Sequence, residues 1–393
     1  MVKNNLTALQ IVSCLFLSFY CVCCCAQRST AHGAIDLSND TTAVSIPYFS
    51  GLEAYHSFRI PTLIKSNKAL IAFAEGRKNS TSDFGDIDLV YRRSLDGGRT
   101  WEALNILYDL DTLAVQNPVP IFVASENKIV LLFNTTSLSE HDILNKDYRE
   151  EEERKTYLTA SFDDGLTWET PKEITRSVKR KTWRWHALGP VHGIELKYPK
   201  NKGRLLAPVA ISIEKGSAAY CMALVYSDDQ GKNWQIGAVD TTLTDAVQSN
   251  ETTIVELVDG RIYVNTRDQE GGSKLKNRGE TYSLDGGLTF SAPISESNKF
   301  PSPIIQAALL RWSTEKQSGQ DRILFTTPSN PEKRLDLIVM ESVDESDNWS
   351  TLFKVHRGHS AYSDMVKLDD NTLGVIYETD EYKKIRFRRI VLE

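Results

Sequence analysis

One eight-residue pattern, Ser-x-Asp-x-Gly-x-Thr-Trp, returns along the chain at near-constant spacing, and this recurrence restricts the fold more than any other feature. It reads Ser94-Leu95-Asp96-Gly97-Gly98-Arg99-Thr100-Trp101 and again Ser161-Phe162-Asp163-Asp164-Gly165-Leu166-Thr167-Trp168. The third copy, Ser227 to Trp234, has Asn233 in place of threonine, and the fourth, Ser283 to Phe290, ends in phenylalanine. The fifth, Ser342 to Trp349, lacks both the glycine and the threonine. With the serines at 94, 161, 227, 283 and 342, a supersecondary unit of roughly 60 residues repeats.

Each unit reads as β-structure. Ile87–Tyr91, Thr156–Ala160 and Cys221–Tyr226 are apolar, β-branched runs of strand length that lead into the boxes, and the Asp and Gly residues after them end a strand in a turn. No segment has a long helical period. A unit of this length holds a four-stranded sheet with its loops, and radial repetition of such sheets is a β-propeller. The chain from 47 to 393 has room for six, so the expected fold is all-β, a six-bladed β-propeller. Within a box, Asp accepts backbone N–H groups round the bend, Gly takes a positive φ and Trp wedges between strands. The boxes are therefore structural, and they indicate fold without indicating activity.

The N-terminus differs in kind. After Lys3, the stretch Ile11 to Ala26 carries no charge and holds five of the six cysteines. Residues 1–26 read as a secretory signal peptide, the alternative being an uncleaved anchor, which sixteen residues are short for. Cleavage leaves Cys221 alone, a core residue with no intramolecular disulfide partner. Residues 27–46 are polar and turn-rich and read as a linker. The chain is thereby placed in the secretory pathway, extracellular or periplasmic, with the lysosome as an alternative; membrane contact requires the N-terminal segment to stay attached. Sequons stand at Asn5, Asn39, Asn79, Asn134, Asn250 and Asn348; glycans on Asn79 and Asn250 would obstruct the residues discussed below. A net charge of −6 argues against nucleic acid as a partner. The runs Tyr148–Lys155 and Lys179–Lys181 read as solvated surface.

Arg59, in Ser57-Phe58-Arg59-Ile60-Pro61, precedes the boxes just where a short strand ends. An arginine in this context followed by four or five boxes resembles the exo-sialidases, bacterial members and the mammalian lysosomal one included, over almost all of the chain beyond the N-terminal segment. The resemblance implies sialylated glycans as partners and residues for each role. A sialic acid carries a carboxylate on its anomeric carbon, which the planar fork of arginine matches. The family uses three arginines, and Arg59, Arg267 (in Tyr263-Val264-Asn265-Thr266-Arg267) and Arg334 (in Ser329-Asn330-Pro331-Glu332-Lys333-Arg334) fit them. Glu378 matches the glutamate that braces the first.

The resemblance also assigns the chemistry. Sialidases attack through tyrosine and stand outside the two-carboxylate scheme; Tyr362, in Ser360-Ala361-Tyr362-Ser363-Asp364, matches it. A phenol needs a base beside it, and Glu251 fits, with Glu256 as its rival. Asp83 fits the acid and later base, with Asp86 and Asp88 as rivals, in a Ser/Thr-rich loop suited to moving onto substrate. Arg77 is read as reaching ring hydroxyls, against a structural reading as a strand-end arginine. Trp185 packs either on the acyl or glycerol arm or in the core. No histidine pair has metal-ligand spacing and no phosphate loop occurs, so no metal and no cofactor are expected. A trans-sialidase would share every one of these residues. A sialic-acid lectin would keep the arginines and lose Tyr362, Glu251 or Asp83; a receptor-type propeller would need no arginine trio.

Overall fold

A computed structural model describes residues 34–216, 220–242, 247–271 and 277–392, so residues 1–33, with the expected signal peptide and five cysteines, lie outside it. The described chain is all-β. Its hydrogen-bonded strands form four sheets, two of eight strands, one of five and one of four. Antiparallel neighbours predominate, as in Ser57–Lys65, Leu70–Arg77 and Ile87–Ser94, paired in sequence order. Among the described residues no helix is long and apolar enough to cross a membrane.

The strands Leu205–Ser212 and Tyr220–Ser227 show why the apolar runs are continuous. Side chains alternate across a strand, and here both faces are covered. Leu205, Ala207, Val209 and Ile211 join one core cluster with Cys221, Ala223 and Val225, packed on Val119, Ile121 and Val130 of the preceding sheet. Leu206, Met222 and Leu224 face the other way, onto Ile254, Ile262 and Val264 of the next. A similar layer joins the two ends of the described chain, where Ile376, Ile385 and Phe387 pack on Leu63, Leu70, Ala72 and Val90. Hydrogen bonding closes the same junction: Val44–Phe49 pairs antiparallel with Lys384–Val391.

The five boxes behave alike. Each follows a strand that ends on its serine: Ile87–Ser94, Lys155–Ser161, Tyr220–Ser227, Arg278–Ser283 and Leu335–Ser342. In the first, the Gly98 N–H donates to Ser94 Oγ at 2.7 Å and Thr100 Oγ1 donates to Asp96 at 2.6 Å. The two divergent boxes keep this geometry, because Asn233 and Asn348 donate through their side-chain amides to Asp229 (2.7 Å) and Asp344 (2.8 Å). The glycine position is where a box meets neighbouring strands. A Cβ on Gly98, at φ +85°, would stand 2.1 Å from Phe387. In the fifth box Ser346 takes φ +80° and its Oγ reaches the Tyr282 hydroxyl at 3.1 Å.

Two sequence expectations need revision. The 27–46 linker contributes structure from Ala34 onward: Ile35–Asp36 pairs in parallel with Ser350–Lys367, and the closing strand begins at Val44. The charged runs are only partly solvated. Glu150–Glu152 is exposed or nearly so, but Glu153, Arg154 and Lys179 are buried. Lys179 Nζ meets Glu153 at 2.5 Å, which is the pairing that lets two charges leave water. Cys221 is buried and free, as expected. Of the sequons, Asn134 is fully buried and its amide donates to the Lys155 carbonyl at 3.0 Å, while Asn250 is buried with its amide on Gln269.

Candidate active site

Four strands from different parts of the chain meet at one cavity of about 480 Å³. Each breaks register where it reaches the cavity: Ser57–Lys65 between Arg59 and Thr62, Ala114–Val123 between Gln116 and Val119, Ser249–Glu256 between Ser249 and Thr252, and Ser350–Lys367 between Ser360 and Ser363. A bulge turns a side chain out of the alternating pattern and aims it elsewhere. Ile60 and Asn117 sit at two of these bulges with φ of +58°, a conformation that asparagine tolerates but that is costly for the β-branched Ile60.

The three arginines named from sequence line the same cavity, with Tyr362, Glu251, Asp83 and Arg77. Arg59 is fixed from behind: its Nε donates to Glu378 Oε1 at 2.7 Å, and its guanidinium lies 4.0 Å over the Tyr382 ring. Glu378 is fully buried and also accepts the backbone N–H of Ile60 (2.8 Å) and of Tyr362 (3.2 Å). Arg267 Nη1 meets Glu251 at 2.7 Å and the Tyr362 hydroxyl at 3.3 Å, while its Nε has no hydrogen-bond partner among the described residues. Arg334 donates to the Tyr382 hydroxyl (3.2 Å) and the Ile304 carbonyl (3.4 Å), and no carboxylate among the described residues lies within ion-pair distance of it. Glu378 and Glu251 thus serve Arg59 and Arg267, and Asp83, 3.9 Å from Arg59, is already paired with Arg77 at 2.6 Å, which leaves Arg334 without a carboxylate among the described residues. Buried charge left short of counter-charge is a site for an anion.

The Tyr362 hydroxyl makes a short hydrogen bond to Glu251. Burial, then the facing Glu251 charge, push the phenol well above its ordinary pKa, against the pull of Arg267 and Arg334. The phenolate is therefore no resting species, and the Glu251 carboxylate stands where its proton would go. Asp83 lines the cavity from an exposed loop, its carboxylate 2.6 Å from Arg77. Desolvation raises its pKa, but Arg77 and Arg59 outweigh that and hold it below the usual value.

The rivals lie elsewhere. Glu256 accepts the backbone N–H groups of Lys197 (2.6 Å) and Tyr198 (3.2 Å). Asp86 and Asp88 share Lys78 at 3.0 and 3.1 Å, and Asp88 also accepts from Tyr55. None of the three lines the cavity. Arg77 is buried, pairing with Glu75 at 2.7 Å as well as with Asp83. Trp185 is on the wall, with Arg154 lying 4.6 Å over its ring.

Sequence reasoning missed several residues in and behind the wall. Arg154 was concealed in the charged run; it donates to Gln116 (2.8 Å) and Asn117 (3.0 Å), and burial pulls its pKa down to about 10. Glu75 is buried beneath Arg77 and accepts the Asn117 N–H at 3.1 Å. Glu140 accepts a short bond from Tyr220, forming a second carboxylate–phenol contact at the rim. Tyr382 follows Asp380 and Glu381, all three at positive φ, and no local pattern announces such a turn. Among the described residues no three His, Cys, Asp or Glu side chains are grouped to hold a metal ion.

Comparison with known proteins adds the class. Residues 68–375 match the family described as BNR repeat-like domain. An exo-alpha-sialidase of Aspergillus fumigatus is 28% identical over 373 residues, covering 86% of this chain and 84% of that protein. A sialidase of Micromonospora viridifaciens is 27% identical over 345 residues, covering 84% of this chain but 51% of its own, so this chain spans about half of that enzyme. Among solved structures, Hadza microbial sialidase Hz136 superposes with a TM-score of 0.75 at 25% identity, over 87% of this chain and 67% of that one. The chain belongs to the BNR repeat-like family, among proteins of the exo-α-sialidase (neuraminidase) type.

Proposed function

We propose that the protein is a retaining exo-α-sialidase that removes terminal sialic acids from glycoproteins, glycolipids or oligosaccharides through a tyrosyl-enzyme intermediate. The observation that carries this reading is the Tyr362–Glu251–Arg267 contact set inside the arginine cluster. A carboxylate nucleophile would be repelled by the substrate's own carboxylate, whereas a neutral phenol is not. Arg59, Arg267 and Arg334 hold that carboxylate and fix the plane of the anomeric centre. The Tyr362 oxygen bonds to the anomeric carbon as its proton passes to Glu251, while the bond to the leaving oxygen breaks and Asp83 protonates it. Asp83, now ionised, takes a proton from water, whose oxygen bonds to the anomeric carbon as the bond to Tyr362 breaks and Glu251 returns the proton to the phenol, leaving the sugar in its original configuration.

Substrate binding itself prepares Asp83. Its carboxyl is held low by Arg77 and Arg59; a substrate carboxylate on Arg59 offsets that cation and excludes water, and both changes raise the acid's pKa. Arg77 orients Asp83 and faces the ring hydroxyls. The fold that supports this is a six-bladed propeller: each eight-stranded sheet supplies two blades, the other sheets one each, and the closing strand Val44–Phe49 completes the last. Residues 1–26 route the chain into the secretory pathway as a signal peptide.

The test is hydrolysis of a fluorogenic α-sialoside by the wild type and Tyr362→Phe, with the released anomer followed by proton NMR. Release of the α anomer first, with turnover abolished in the variant, is the expected result. Initial release of the β anomer, or a fully active variant, would refute the mechanism. Sialic acid binding by a wild type without turnover would identify a lectin.

A further inference from the structure

We propose that His192 and Asp364 form a positioning pair for the attacking tyrosine, a buried contact that holds the Tyr362–Asp364 segment in place without either residue touching substrate. The inference rests on the role given to Tyr362 above.

Tyr362 lies in the bulge of Ser350–Lys367, where regular pairing with Thr372–Thr379 lapses between Ser360 and Ser363. Backbone out of register has lost ladder bonds that would otherwise fix it. Side chains replace them, residue by residue. The Tyr362 N–H donates to Glu378 Oε2. Ser363 is gripped at both backbone groups by Gln306, its N–H donating to Oε1 (3.1 Å) and its carbonyl accepting from Nε2 (2.9 Å). Asp364, fully buried, accepts the Leu63 N–H at 2.9 Å and the His192 N–H at 3.3 Å on one oxygen. Its other oxygen faces His192 Nδ1 at 2.6 Å and accepts the Met365 N–H at 2.8 Å.

The His192 ring therefore ties Asp364 to distant parts of the chain. Its one charged neighbour among the described residues is Asp364, and its other ring contact is to the Leu309 backbone, which favours the protonated form. Asp364 at Nδ1 and the Leu309 backbone both favour the protonated imidazole, so that the protonated ring forms an ion pair with the carboxylate. The ion pair joins the Tyr362 strand to Ser57–Lys65 through Leu63, to Ala308–Ser313 through Leu309, and to the segment holding His192. Arg59 and Ile60 stand on the same strand as Leu63, so the pair sets the tyrosine relative to the first carboxylate-binding arginine.

The pH dependence has a defined sign. Burial lowers the imidazole pKa, but Asp364 more than offsets it and the net shift is upward. A raised folded pKa means that the pair is intact below the ordinary imidazole range and is lost as pH rises through the folded value. The tyrosine should lose its placement on the alkaline side, with the arginines unaffected.

The experiment compares wild type, His192→Gln and Tyr362→Phe on a fluorogenic α-sialoside, with a non-hydrolysable sialic acid analogue for binding and thermal melting for foldedness. His192→Gln should lower kcat about 10- to 100-fold, as small misplacements of a reacting group do, while KM and analogue affinity change by no more than about threefold. Its kcat profile should lose the step set by His192 and keep the alkaline limb set by Asp83. Unchanged kcat per folded molecule overturns the proposal, and so does an equal loss of analogue binding, which marks a merely structural role. Should His192→Gln not fold, NMR of histidine-labelled wild type decides: a ring that stays protonated on both nitrogens above the ordinary imidazole range supports the pair, and one that titrates within or below that range overturns it. Full activity of Tyr362→Phe would remove the premise and the proposal together; an inactive Tyr362→Phe beside a fully active His192→Gln would remove the proposal alone.

Discussion

Glu378→Gln is the perturbation that most directly probes how the site is held when empty. The substitution conserves shape but removes the charge opposite Arg59 and one of two acceptor oxygens. In the wild type, Oε1 accepts from Arg59 Nε and the Ile60 N–H, and Oε2 accepts from the Tyr362 N–H. An amide can keep only one of these sets. If its oxygen stays on Arg59, its NH2 confronts the Tyr362 N–H, donor against donor. Breaking a buried ion pair by removing one partner costs about 3–5 kcal/mol, and an orphaned buried N–H about 1–3 kcal/mol. Taking about 3 kcal/mol as the floor, and a little under the ~2–4 °C per kcal/mol seen for domains of 150–250 residues, the melting temperature should fall by roughly 5 °C or more. On the proposed function, a sialic acid analogue supplies a carboxylate to the same arginines, so saturating analogue should stabilise the variant by more degrees than the wild type. Melting with and without analogue, alongside kcat, reads all three effects. A melting temperature within about 1 °C of wild type, with unchanged kcat, would refute the view that Glu378 organises both Arg59 and the tyrosine backbone.

Asp83→Asn should lower kcat on natural sialosides by about 10²–10⁴-fold, the usual worth of a general acid, and by much less on substrates whose leaving group departs as an anion; equal losses on both would exclude the acid role. Because arginines depress Asp83 in the empty site and substrate relieves this, the alkaline limb of kcat should lie at higher pH than that of kcat/KM, and coincident limbs would contradict the relief. Arg334→Ala should raise KM by roughly 10- to 100-fold, from the loss of about 1.5–3 kcal/mol of charge-assisted bonding; an unchanged KM would remove Arg334 from the carboxylate site. Asn348→Ala should destabilise by about 0.5–1.5 kcal/mol, the net worth of its bond to Asp344, and leave kcat per folded molecule unaltered.

What could be read from the chain, and what could not, divides along physical lines. The boxes were legible because a turn of this type fixes its own residues locally: serine, aspartate and a donor four residues after the aspartate interact within a few ångströms whatever the rest of the chain does. Even the divergent fifth box obeys, since the Asn348 amide replaces a threonine hydroxyl. The polar residues named for the site were legible through their contexts, which come with the family resemblance. Arg154 was not, because a charged residue in a run of charges looks solvated until the fold supplies Gln116, Asn117 and Trp185 as its surroundings. Lys179 is the same case, buried against Glu153, 26 residues earlier in the chain. The linker boundary failed for a related reason: Ile35–Asp36 becomes a strand only because Phe353 and Lys354 are there to pair with it. Burial and pairing across long separations leave no local period to detect.

The placement of the site at the junction of the first and last described strands has a consequence for how activity depends on folding. Arg59 comes from the first long strand, and Glu378 and Tyr362 from the last ones, so the 2.7 Å contact between Arg59 and Glu378 spans 319 residues. Phe58 and Leu63, either side of Arg59, pack in one cluster with Val366, Ile376 and Phe387. Trp101 of the first box lies edge-on to Phe387, and its indole N–H donates to Ser45 of the closing strand at 2.9 Å. The contacts that seal the junction and those that brace the first arginine are thus borne by the same strands. A chain with this junction open would keep most of its sheets and box turns, which are local, yet would have no carboxylate behind Arg59 and no fixed tyrosine beside it. On the proposed mechanism catalytic competence depends on this junction, and a lesion such as Trp101→Ala, remote from the cavity, should reduce the active fraction before it melts the remaining sheets.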